Sequence, residues 1–88
     1  CAMAVEVKTH LDKMEYVDRH IARMELIRKF PPAEVAINGK RVMGALAGGV
    51  VSPAVMDYAH QCGFYVLELS GETVRLADTP TGFQARVW

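Results

Sequence analysis

The apolar residues of this chain change their spacing at Lys8, and that change limits what it can fold into more than any other feature. From Ala2 to Lys8 apolar and other residues alternate, the period of two of a β-strand. Beyond it Leu11, Met14, Val17, Ile21, Met24, Ile27 and Phe30 recur at roughly three and a half residues, the spacing of a long amphipathic helix. Phe30-Pro31-Pro32 ends that helix, because the residue before a proline is pushed out of the α region and proline lacks the donor to continue. Arg41 to Val51 is then almost uninterrupted apolar and small residues, as in a strand covered on both faces. Strand, long helix and buried strand make a βαβ unit, whose crossover favours a parallel, right-handed placement of the two strands.

The rest of the chain extends this to an α/β fold of order βαβαββ. Ser52-Pro53 is a helix start and Gly63 a matching stop, with Val55, Met56 and Ala59 on the apolar side between them. Phe64 to Leu69 alternates again, turns at Ser70-Gly71-Glu72 and returns through Thr73 to Leu76 as a hairpin. The expected strands are at about residues 2–8, 41–51, 64–70 and 73–77, with a helix over about 10–30 capped by Thr9. Asn38-Gly39-Lys40 reads as a turn, and Gly44, Gly48 and Gly49 as points of close packing or bending. Phe83 and Trp88 are expected to anchor the C-terminal tail. In the first strand Met3, Val5 and Val7 are expected to face the core, and Ala4, Glu6 and Lys8 the opposite side.

Eighty-eight residues at 51% apolar are enough for one core, so residues 1–88 read as a single domain. Ten basic and ten acidic side chains cancel, leaving any affinity for nucleic acid to local patches and giving no pull toward an anionic membrane. Cys1 and Cys62 lack the spacing of a metal site and fit free thiols in a reducing compartment. With no apolar run of membrane-spanning length and no signal peptide, the expected location is the cytoplasm. Because the chain opens inside an apparent core strand, it is expected to be a fragment of a longer protein.

The chemistry worth weighing is Glu6-x-Lys8, a carboxylate and an ammonium on one side of a strand. Such a pair is either a solvated strand face or the pair of a metal-dependent phosphodiesterase, in which the carboxylate holds a hard cation and the lysine steadies a water or phosphate oxygen. His10 follows as a rim residue. His60, near a helix C-terminus, reads as a dipole partner. Met14 and Met24 read as core, and the basic residues of the long helix as a solvated face or a phosphate-tracking one.

Val5-Glu6-Val7-Lys8 entering a charged helix is followed by Val42-Met43-Gly44-Ala45-Leu46-Ala47-Gly48, Tyr58-Ala59, Gly63-Phe64-Tyr65-Val66, Ser70-Gly71-Glu72-Thr73-Val74 and the closing Phe83 and Trp88. In this order they resemble a family of largely uncharacterised bacterial proteins of the PD-(D/E)xK nuclease-like, or restriction-endonuclease-like, superfamily. The resemblance implies a three-layer core, here lacking its N-terminal strands. It also implies Glu6 and Lys8 at the catalytic (D/E)xK positions, with Glu6 a ligand of Mg²⁺ or Mn²⁺ and Lys8 beside the attacking water. The superfamily's first acidic residue, an aspartate on a preceding strand, has no counterpart here, so the metal is expected only in a complete protein. The expected function is a nuclease-like domain, a DNA-binding hydrolase, with an incomplete site. The alternative is a non-catalytic nucleic-acid-binding or assembly module on the same scaffold. With the aspartate-bearing strand missing, the edge at residues 2–8 is left open and is expected to drive self-association.

Overall fold

The computed structural model describes residues 2–33 and 41–88. The chain runs β1 (Ala2–Leu11), α1 (Met14–Lys29), β2 (Val42–Val51), α2 (Pro53–Gln61), β3 (Tyr65–Ser70) and β4 (Thr73–Leu76). The four strands form one mixed sheet in the order β1-β2-β3-β4, with β1 parallel to β2, β2 parallel to β3 and β4 antiparallel to β3. The expected α/β order is present, and the Asn38-Gly39-Lys40 turn lies outside the described residues.

Both parallel crossovers step in the same direction across the sheet, so right-handed connections place both helices on one face. The core confirms it: Leu46 of β2 and Val66 of β3, paired and fully buried, pack with Val17 and Met24 of α1 and Val55 and Ala59 of α2. Among the described residues the sheet therefore carries one helical layer, where three layers were expected.

That arrangement reverses the expected sides of β1. Ala2 and Ala4 pack against the helix-side core, and Glu6 and Lys8 are half-buried beside them, while Met3, Val5 and Val7 are 48%, 42% and 58% exposed on the far face. The physical reason lies in side-chain size. The small Ala2, Ala4 and Gly44 let α1 and the Phe64 ring come close to the sheet, and an added Cβ at Gly44 would lie 2.5 Å from that ring. Bulky Met3, Val5 and Val7 on that side would hold them off.

β1 also runs three residues beyond its expected end. Leu11 is fully buried, pairs with Val51, and its carbonyl accepts a hydrogen bond from the Ser52 N–H at 3.0 Å, so pairing with the ten-residue β2 keeps Thr9 to Leu11 extended. Thr9 is therefore a strand residue rather than a helix cap. Lys13 takes the N-cap position without a side-chain hydrogen bond. The buried stripe of α1 is Val17, His20 and Met24, and Met14, one turn before it, is 46% exposed instead of core. At the other end of the chain the Trp88 N–H donates to the Val42 carbonyl at 2.8 Å and its ring stacks on Phe64, which pins the tail as expected.

Candidate functional site

The period of two in β1 and the one-turn spacing of α1 bring six side chains to one place. Glu6, Lys8, Tyr16, Arg19, His20 and Arg23 line a cleft of about 180 Å³ where the helix crosses the strand. Glu6 and Lys8 do share a face, with Lys8 Nζ 3.9 Å from Glu6 Oε1. The other carboxylate oxygen, Oε2, is held by Arg23 Nη1 at 2.8 Å. Lys8 lies over the Tyr16 ring, 5.0 Å from its centroid, so its ammonium is placed by aromatic and carboxylate neighbours together. Arg19 reaches Glu15 one turn back at 3.7 Å. His10, the expected rim residue, is exposed beyond Lys8 and is not among the cleft's lining.

Three cations and a single carboxylate thus meet in a partly enclosed space. Glu6 is 19% exposed, Lys8 35% and Arg23 60%, so the charges are graded from the floor of the cleft to its mouth. A second anion entering beside Lys8 and Arg23 would find donors whose attraction is less screened than on an open surface. A divalent cation would not fit as well. Mg²⁺ wants about six oxygens in near-octahedral array, usually with one or two protein carboxylates. Glu6 is the one carboxylate of the cleft and is already paired with Arg23, and the described residues contain no group of three or more His, Cys, Asp or Glu able to hold a metal. This chain's own described residues do not make a Mg²⁺ or Mn²⁺ site.

His20 is the residue that sequence reasoning passed over. It occupies the helix position between Val17 and Met24 and is 1% exposed. Its Nε2 lies 3.1 Å from the Ala4 carbonyl, which can only accept, so Nε2 carries the proton. Nδ1 is buried with no hydrogen-bond partner among the described residues. The ring lies against Phe64 at 5.0 Å between centroids. Burial pushes its pKa below 6.5, with Arg23 acting in the same direction and the Ala4 carbonyl and Glu6 acting against it. A neutral histidine therefore ties α1 to β1 directly behind Glu6. Its signal was present as a polar residue in the apolar stripe.

A second cleft, of about 520 Å³, opens on the far side of α2 between Asp57, His60 and Gln61 and the loop Pro80 to Gln84. His60, in the last turn of α2 as expected, is buried edge-on to Phe83, and burial lowers its pKa. Cys62 is a free thiol whose pKa is raised by burial. Cys1 lies outside the described residues.

No protein-family model, curated protein or solved structure matches this chain. None of the helices is long and apolar enough to cross a membrane, among the described residues.

Proposed function

We propose that this chain is the (D/E)xK-bearing half of a nuclease-like domain of the restriction-endonuclease type, and that its cleft receives a phosphodiester of nucleic acid. The observation that carries the reading is the meeting of Glu6 and Lys8, 3.9 Å apart on one face of β1, with Arg19 and Arg23 of α1 around one cleft. Phosphate oxygens suit Lys8 as a point charge and Arg19 and Arg23 as forked donors. β1 is the first strand of the sheet, and among the described residues no strand lies on its outer side. A strand bringing a further carboxylate could add there, and this chain's own residues would then orient the phosphate and place Lys8 beside it. A divalent cation in a completed site would supply Lewis-acid activation of water.

A second reading, a non-catalytic nucleic-acid-binding module, is favoured by Arg23, which occupies the carboxylate that a metal would need. Both readings expect this chain to bind nucleic acid, and they part on hydrolysis. The test is fluorescence anisotropy with short labelled single- and double-stranded oligonucleotides over a range of salt. Binding should weaken with salt, and Lys8→Gln, Arg19→Gln and Arg23→Gln should each flatten the log–log slope, by up to the roughly 0.7 to 0.9 of the one phosphate they share. Equal slopes in all variants, or no binding at low salt, would remove the phosphodiester reading. Cleavage in Mn²⁺ that is lost in Glu6→Gln would decide for the nuclease over the binding module.

A further inference from the structure

We propose that the face of the sheet opposite α1 and α2, which no helix covers among the described residues, is an interface between two copies of this chain. The face is built by the alternate residues of all four strands. Register places Val5 beside Ala45 and Val7 beside Ala47 on β1 and β2, Ala47 beside Leu67 on β2 and β3, and Leu67 beside Leu76 and Leu69 beside Val74 on β3 and β4. The charged residues of the same strands, Glu6, Lys8, Glu68 and Arg75, alternate to the other side. What is left is apolar from edge to edge, with Met3, Val5, Val7, Val74 and Leu76 between 42% and 62% exposed.

Three properties of the face select a second copy as its occupant. The first is area. From the fractional exposures, Met3, Val5, Val7, Val74 and Leu76 alone offer on the order of 450 Å² per chain, in the roughly 300–600 Å² range of the largest patch of a typical monomer, which often serves an interaction, and half-buried Leu67 and Leu69 add to it. The second is neutrality, because a face without charges neither repels its own image nor needs a complementary charge from a different partner. The third is relief. The exposed side chains stand on the two outer strands, Met3, Val5 and Val7 of β1 and Val74 and Leu76 of β4, while Ala45 and Ala47 between them are buried. A two-fold axis between β2 and β3 sets β2 of each copy over β3 of the other. It also sets Met3, Val5 and Val7 of one copy against Val74 and Leu76 of its partner. Two sheets packed this way, about 10 Å apart, make a closed isologous sandwich.

This arrangement differs from pairing through the open edge of β1, because it engages β4 at the opposite edge of the sheet. The experiment is sedimentation equilibrium of the 88-residue chain and of two variants, Val5→Lys on β1 and Val74→Lys on β4, each at an exposed position, with circular dichroism to show that each remains folded. The wild type should dimerise in the micromolar range, and each variant should raise the dissociation constant at least tenfold. If Val5→Lys disturbs β1, Val74→Lys still decides. A wild type that is monomeric at every concentration would overturn the proposal, as would open-ended association, or a dimer that Val74→Lys leaves intact.

Discussion

His20 shows how one side chain ties stability to pH. Its folded-state pKa lies below 6.5 because burial disfavours the charged ring, and that of His60 is lowered for the same reason. As the pH falls through 6.5 the unfolded chain takes up these protons and the folded chain does not, so the fold is fully stable above that pH and loses stability below it. Urea midpoints measured from pH 8 down to pH 5 should fall, and His20→Phe should flatten the decline; an unchanged profile in that variant would show that His20 does not carry it. Gly44 makes a second residue-scale prediction. An alanine methyl would meet the Phe64 ring at 2.5 Å, and that ring is itself held between His20 and Trp88. Gly44→Ala should cost about 1–3 kcal/mol by denaturant unfolding, as overpacking of a filled core does. Close packing at Gly44 was legible in the sequence, but the Phe64 ring that causes it comes from a residue twenty positions away and was not.

At the scale of the element, α1 separates what periodicity can say from what it cannot. Met14 and Met24 obey the same spacing, yet Met24 is fully buried and Met14 is 46% exposed, because the sheet holds the chain extended through Leu11 and the first fully buried residue of the helix is Val17. Met24→Ala should therefore cost about 2–5 kcal/mol, and Met14→Ala within about 0.5 kcal/mol of nothing. Equal losses would contradict this placement of the helix. Among the described residues the two helices are also joined by a polar contact, the Tyr58 hydroxyl donating to Asp18 Oδ1 at 2.5 Å. That hydrogen bond, with smaller help from desolvation and from the Asp18 charge, raises the Tyr58 pKa to about 12. An absorbance titration should show one tyrosine ionising near that value, and Asp18→Asn should move it back toward 10.

Over the whole molecule, the sheet has a polar cleft under α1 on one side and, among the described residues, an apolar face without a helix on the other. The two follow from one fact, that both crossovers put their helices on the same side. Glu6 and Lys8 therefore lie beneath a helix, where Arg19 and Arg23 can reach them, and the valines between them are left to the outer face. Covering that face and filling that cleft are separate events. Val74→Lys, which should weaken association, should leave the salt slope of nucleic-acid binding unchanged when both are measured on the same preparation; a parallel loss would mean that the cleft forms only in the dimer.

Sequence alone determined the order of elements, because alternation, helical spacing, the Pro31-Pro32 stop and the Ser52-Pro53 start are local signals that a few neighbouring residues decide. It also determined that Glu6 and Lys8 share a face, since a period of two allows nothing else. Which face that is could not be read from alternation, which is symmetric between the two sides of a sheet. The choice was made by size, the alanines of β1 and Gly44 of β2 admitting α1 and Phe64 where Met3, Val5 and Val7 would have held them away. The burial of His20 and the grip of Arg23 on Glu6 belong to the same choice, because they exist only once a helix sixteen residues long lies across the strand that precedes it.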